Sequence, residues 1–166
     1  MMPTLPRSAL ITLGVLALTG CGEKEPSDAE AIAAVNAAQD IKAPVEPLAL
    51  QPILSPDITK NKLHGTGCAF VPEGGGIGAV LLAQDKRGVI KVGNALVILA
   101  PDTGSAQMPL GSWSHYTGKE NALTLTASSP ATPLGTGQQF KGKLVITDEH
   151  ERPVYSASGD FQCRAI

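Results

Sequence analysis

The sequence has few aromatic residues and little charge, and both shortages limit the functions it can have. Its 166 residues include one Trp, two Tyr and three Phe, and its 13 basic residues are balanced by 15 acidic ones. Because basic residues form no stripe and are not interleaved with aromatic ones, binding of nucleic acid is not expected. An apolar run of about 20 residues, the length of a membrane-spanning helix, is also absent from the sequence.

Patterns typical of catalytic or metal sites are equally scarce. The sequence contains no Gly-x-Ser-x-Gly elbow of a serine hydrolase. The glycine cluster at 74–78 lacks the Lys-Ser/Thr of a phosphate-binding loop. None of His64, His115 and His150 stands at metal-ligand or catalytic-triad spacing. We therefore predict a protein without catalytic residues, a metal or a cofactor.

The beginning of the chain has the three parts of a secretory signal peptide. Residues 1–7 form a short cationic segment, residues 8–18 form an apolar run, and small residues precede Cys21. This order is typical of a signal peptide that is removed from the mature protein. We predict a signal peptide over residues 1–20.

The residues at the cleavage site resemble the lipobox of bacterial lipoproteins. Leu18-Thr19-Gly20-Cys21 fits that pattern at every position. The resemblance implies diacylglycerol on the Cys21 thiol, cleavage before Cys21 and acylation of the new amine, so that several acyl chains hold the protein on a membrane. Gly22, in place of an Asp, favours the outer membrane, with the protein facing the periplasm. The alternative is an ordinary signal peptide with an incidental cysteine.

Assigning Cys21 to lipid leaves Cys68 and Cys163 as a pair. In an oxidising compartment a disulfide is the default for such a pair. A metal-bound alternative is weaker, because neither cysteine has a second Cys or a His at ligand spacing. We predict a Cys68–Cys163 disulfide that closes nearly the whole domain.

Residues 21–62 are predicted to be a lipidated tether with one short helix. Ser27 and Glu30 have the spacing of a capping box, and an Ala-rich stretch follows to Gln39. Beyond the helix, four prolines between residues 44 and 56 favour an extended chain. Two interpretations of this part stay open: a spacer that lifts the domain off the membrane, or a segment whose apolar residues lie along the domain.

Residues 63–166 are predicted to be an all-β domain. Short β-runs alternate there with Gly, Pro, Asn and Asp, without a long helical pattern. This predicts a small antiparallel barrel or sandwich of about eight strands closed by the disulfide. The expected strands cover residues 65–71, 79–84, 89–92, 95–99, 112–117, 122–127, 139–147 and 154–163.

Parity gives a register for the first and last strands. Cys68 and Phe70 are two residues apart on one, and Phe161 and Cys163 are two residues apart on the other. If these strands pair antiparallel with the cysteines opposed, the two phenylalanines are opposed on the same face. The predicted pairing closes a barrel and removes two sheet edges.

The best position for a ligand site is the segment with the only tryptophan. Trp113, His115 and Tyr116 are the predicted binding patch. Neighbours on a strand point to opposite faces, so Trp113 and His115 share one side and Tyr116 the other. The competing interpretation is structural, since aromatic side chains are commonly part of a core.

The layout of the domain is similar to that of envelope lipoproteins, loosely including the c-type lysozyme inhibitor family of small disulfide-closed barrels. The Ser-Gly-x-x-Tyr stretch of that family has only a loose counterpart at 111–116, and no inhibitory residue can be carried over. The leading expectation is a non-enzymatic protein that binds an envelope protein or cell-wall component, or supports an assembly. An inhibitor of a lytic enzyme comes second and an enzyme third.

Overall fold

The computed structural model describes residues 27–39, 44–76 and 78–166, which belong to two compact units divided between Ala43 and Pro44. The predicted signal peptide and Cys21 lie outside the described residues. In the described part of the chain, no helix is both long enough and apolar enough to cross a membrane.

The first unit contains the expected short helix, α1 (Asp28–Gln39). Its capping box is formed: the Glu30 N–H donates to Ser27 Oγ at 3.3 Å, and the Ser27 N–H donates to Glu30 Oε2 at 3.0 Å. The hydrogen bonds from Ser27 lower the pKa of Glu30. Because its side chains are exposed, the helix depends on its cap and on the helix propensity of alanine.

The second unit is built from one short helix and nine strands, and the eight predicted strands are all present. These elements are α2 (Ser55–Lys60), β1 (Thr66–Pro72), β2 (Leu81–Gln84), β3 (Gly88–Val92), β4 (Ala95–Pro101), β5 (His115–Thr117), β6 (Ala122–Ala127), β7 (Thr132–Leu134), β8 (Gly137–Thr147) and β9 (Pro153–Ala165).

Eight of these strands form a closed antiparallel barrel. Neighbours in sequence pair from β1 to β6, β6 then pairs with β8, and β9 pairs with both β8 and β1. Cys68 lies opposite Cys163 and Phe70 opposite Phe161, and the two cysteines form a disulfide. The predicted register, disulfide and closure are therefore confirmed.

The ninth strand lies between two of the predicted strands, where none was expected. Thr132–Leu134 pairs with the beginning of β8 through a two-residue turn at Gly135 and Thr136. β6 and β7 pair with the same edge of β8 at different positions along it, so β7 lies in line with β6 after a short interruption. Pro133 has no N–H to offer at the free edge of β7, which reduces the risk of pairing with other chains.

The barrel interior is filled by side chains. Gly88 and Gly142 make room for two of its rings, since a Cβ there would lie 2.9 Å from the Tyr116 ring and 2.5 Å from the Phe161 ring. Phe161 also stacks between two other phenylalanines. The largest buried side chains of this inner cluster are Phe70, Leu81, Ile90, Leu99, Tyr116, Leu123, Phe140, Leu144, Ile146 and Phe161.

A second apolar cluster lies outside the barrel, under residues 48–63, which we call the strap. The strap is tied to the barrel by backbone hydrogen bonds from Leu48 to Val154, from Gln51 to Lys91 and from Ile53 to Ala79. Its Ile53 and Leu63 are buried against the outer face of β2 and β3. Apart from the exposed Leu54, the apolar residues of this stretch thus lie along the domain, and the compact unit begins before the predicted boundary at Leu63.

One end of the barrel is covered by the connection between β4 and β5, residues 102–114, which we call the cap loop. Its Met108 and Trp113 pack against the inner cluster. Its Ser112 is fully buried and places Oγ 3.3 Å from Cys68 Sγ. The cap loop is therefore held against the disulfide.

Candidate functional site

The predicted patch is divided between the core and the surface. Tyr116 is completely buried, and its hydroxyl donates to the Gln84 carbonyl at 2.8 Å while accepting the Trp113 N–H at 2.9 Å. Burial raises the pKa of Tyr116 to about 12; the Trp113 hydrogen bond opposes this shift and the Asp85 carboxylate adds to it. The inclusion of Tyr116 in a binding patch is corrected: its ring belongs to the inner cluster and its hydroxyl is engaged.

Trp113 has a structural contact of its own. Its indole N–H donates to the Asp85 carbonyl at 3.2 Å, and its backbone forms an isolated bridge with Gln107. The side chain is half-buried and helps to hold the cap loop against the turn between β2 and β3. Part of the ring remains accessible, but the indole N–H already has a partner.

His115 is the member of the patch that lies beside open hollows. It is half-buried on β5, and its Nδ1 lies 3.1 Å from Thr124 Oγ1 on the adjacent strand. It lines a groove of about 770 Å³ on one side and a hollow of about 510 Å³ on the other. The ridge between these spaces is thus formed partly by an imidazole.

The larger groove exists because β5 is too short to cover the whole length of β6. Pairing of β5 with β6 stops at Thr124, with one further hydrogen bond from the Leu125 N–H to the Ser114 carbonyl. Beyond this point the cap loop diverges from β6, and the space between them is the groove. It is lined by Asp102, Ser105, Ala106, Gln107, Met108, Ser114, His115 and residues 124–127.

The walls of this groove are mostly neutral and offer hydrogen bonds. They contribute hydroxyl groups, one side-chain amide, one imidazole and the thioether of Met108, and Asp102 is their one carboxylate. The Asp102 carboxylate also accepts the Gly104 N–H at 2.9 Å within the cap loop. Most of the remaining lining is apolar, with Ala106, Leu125 and Ala127. Such a surface suits a neutral ligand with both apolar and hydrogen-bonding groups better than a strongly charged one.

The other two histidines, His150 and His64, interact with residues close to them in the structure. His150 is exposed in the β8–β9 turn, with Nδ1 3.9 Å from Glu149 Oε1. Its backbone N–H donates to Asp148, which also forms an ion pair with Arg152 at 2.7 Å. Burial opposes ionisation of Asp148, but the hydrogen bonds from Arg152 and His150 outweigh it and lower its pKa to about 2. His64 is exposed, with Nδ1 3.3 Å from the Ile166 oxygen.

The described residues contain no group of three or more His, Cys, Asp or Glu side chains that could hold a metal ion. Comparison with known proteins finds no protein family, no curated protein and no solved structure that matches this chain.

Proposed function

We propose that this protein is a lipid-anchored binding protein of the bacterial envelope, attached through Cys21 and carrying a non-enzymatic barrel. The observation that supports a binding role is the groove beside His115, which is open, lined by neutral hydrogen-bonding groups and built on a closed barrel. Since the barrel interior is filled, the ligand contacts the outer surface. The groove favours a neutral component of the envelope that has both apolar and hydrogen-bonding groups.

The anchor is tested by growing cells with labelled palmitate and isolating the protein. The wild-type chain should carry the label, and Cys21→Ala should lose both the label and retention in the membrane fraction. The double variant Cys68→Ala/Cys163→Ala serves as the matched control and should remain labelled. Label that persists in Cys21→Ala would rule out this anchor.

The groove is tested by photo-crosslinking from Thr126, an exposed residue on its wall, in cells that express the lipidated protein. We expect an adduct with an envelope component from this position. The same crosslinker at Thr59, exposed on α2, should give no such adduct. Equal adducts from both positions, or none from Thr126, would contradict a ligand in the groove.

A further inference from the structure

The barrel end that carries the cap loop is surrounded by basic side chains, which we call the basic rim: Lys62, Lys86, Arg87 and Arg164. Contacts between their elements show that they share this end. The Arg87 guanidinium donates to the Lys62 carbonyl at 2.8 Å. Arg164 pairs with Gly67, which pairs in turn with Gln84 at the beginning of the turn that carries Lys86 and Arg87. The four residues therefore extend over about three adjacent strands and the end of the strap.

The charge of the rim is largely uncompensated. None of its four side chains forms an ion pair with any described residue. The acids at this end are Asp85 in the β2–β3 turn and Asp102 in the cap loop, so four cations against two carboxylates leave a net positive charge. Three other cations of the barrel, Lys91, Lys141 and Arg152, pair with carboxylates.

An exposed leucine stands beside this rim on a rigid turn. Leu110 is 42% exposed and has a left-handed backbone conformation, with φ 56° and ψ 33°. The turn is fixed because the Ser112 N–H and hydroxyl both donate to the Pro109 carbonyl. The turn lies beside the β2–β3 turn that carries Lys86 and Arg87, since a Cβ built on Gly111 would lie 3.4 Å from the Cβ of Asp85. A strained, exposed apolar residue held in this way is typical of a contact surface.

The opposite end of the barrel has the opposite character. The β8–β9 turn carries Asp148, Glu149 and Glu151, and the adjacent β5–β6 turn carries Glu120. Lys119 and Arg152 in the same turns offset two of these four charges, so a net negative charge remains. Arg164 and Val154 are near the two ends of β9, which are separated by roughly 30 Å at the usual rise of a strand. The strap joins the barrel near Val154, at the acidic end. The molecule is thus electrically polarised along β9.

We propose that the basic rim and Leu110 form a docking surface for an anionic phospholipid membrane. Each Lys or Arg close to such a surface strengthens binding by about fivefold, and four together are enough for a measurable contribution. Lysine and arginine can direct their charged groups to the headgroups while Leu110 enters the interface. The acidic end is repelled, so the barrel stands with its cap loop on the lipid.

The choice of a membrane as partner rests on the proposed anchor, which keeps the domain close to lipid. From Cys21 to Pro44 an extended chain can span up to about 75 Å, and less where α1 forms. This exceeds the separation of the barrel ends, so the cap loop can reach the same membrane that holds Cys21. The contact adds to the anchor and fixes the orientation of the domain.

The test uses the chain from residue 21 with Cys21→Ala, so that acyl chains do not contribute. Its binding is measured by flotation with vesicles of phosphatidylglycerol and phosphatidylethanolamine at low salt. Lys62→Gln/Lys86→Gln should reduce the partition coefficient by roughly 25-fold. Leu110→Asn, which tolerates the left-handed conformation, should reduce it by roughly tenfold. Added salt should weaken binding of the parent chain because it screens exposed charges.

The matched control is Lys119→Gln/Lys143→Gln, which removes the same charge from exposed positions away from the rim and should bind almost as the parent does. An equal loss in the control would show that net charge alone is responsible and would overturn the proposal. Absence of binding, or equal binding to phosphatidylcholine vesicles, would also overturn it. Such a failure leaves the anchor intact, because labelling at Cys21 is measured separately.

Discussion

At the scale of single residues, the hydroxyl of Tyr116 connects the end of β2 to the cap loop inside the barrel. It is buried and makes hydrogen bonds with the Gln84 carbonyl and the Trp113 N–H. Tyr116→Phe would leave both backbone groups without this partner, so we expect a loss of about 1–3 kcal/mol in the free energy of unfolding. Urea denaturation measures the loss.

Tyr155 provides the matched control, because it is only half-buried and its hydroxyl has no hydrogen bond to another described residue. Tyr155→Phe should change stability by less than Tyr116→Phe.

A second measurement on Tyr116 is the dependence of stability on pH. Because burial raises the pKa of Tyr116 to about 12, the unfolded chain ionises first, from about pH 10, and stability should fall as the pH rises between these values. Tyr116→Phe should reduce this fall; an unchanged slope would contradict the assignment.

The strained backbone at Leu110 predicts that removing the strain raises the stability of a variant. A left-handed conformation costs an ordinary residue roughly 1 kcal/mol, a cost that glycine avoids. Leu110→Gly should therefore be more stable than Leu110→Ala, which removes the side chain but keeps the strain. Thermal unfolding of the two variants makes the comparison. Equal melting temperatures would show that the turn relaxes without cost.

The residue scale is also where prediction from sequence was least complete. Strand parity separated Tyr116 from His115, but it did not identify which side faces the core. It failed for Trp113, which precedes β5 and packs against the inner cluster. That choice depends on Gly88, whose missing side chain leaves space for the Tyr116 ring. Gly88 is distant in sequence, and only the pairing of β3 with β4 and of β4 with β5 brings it beneath the ring. The groove depends similarly on where β5 ends, which local sequence does not determine.

At the scale of elements, the strap acts as part of the domain. Leu63 is 1% exposed and packs with Leu82 and Val89 on the outer face of the barrel. Leu63→Ala should lower the free energy of unfolding by about 2–5 kcal/mol because it opens a cavity. Leu54→Ala is the control: Leu54 is 53% exposed in the same segment, so its loss should cost less than about 0.5 kcal/mol. Chemical denaturation of both variants provides the comparison, and equal small effects would favour a loose spacer.

The elements that the sequence predicted well are those with a strong local signal. Apolar and polar residues alternate in β6 and β8, and the apolar Leu123, Phe140 and Leu144 are all buried. By contrast, β7 has Pro133 at its centre and polar neighbours, which locally resemble a loop. It becomes a strand because β8 extends beyond the end of β6 and offers free backbone groups. The position of the strap could not be predicted from local sequence for the same reason. Its prolines favour an extended chain, but its place on the domain is determined by the apolar outer face of β2 and β3.

At the scale of the whole molecule, barrel closure could be predicted because covalent and noncovalent signals agree. The disulfide joins Cys68 to Cys163, and the Phe70 and Phe161 rings lie with their centres 4.8 Å apart on the same face. Both pairs need the same antiparallel register, whereas a shift by one residue would place them on opposite faces. The charge separation between the barrel ends had no such signal, because the four cations of the rim come from three separate segments of the chain.

The contribution of the disulfide can be separated from that of the register. Its cysteines are 95 residues apart, and for a loop near this length the chain-entropy model gives about 4–5 kcal/mol. Cys68→Ala/Cys163→Ala should lose stability up to that amount in urea denaturation. The strands should still pair, because the Phe70, Phe140 and Phe161 rings continue to pack inside the barrel.

Circular dichroism of the double cysteine variant should therefore show a folded β-protein at neutral pH. The control variant Lys143→Ala should leave the urea midpoint almost unchanged. A double variant as stable as the parent would show that the unfolded chain is already compact; a variant without β-structure would show that packing alone cannot close the barrel.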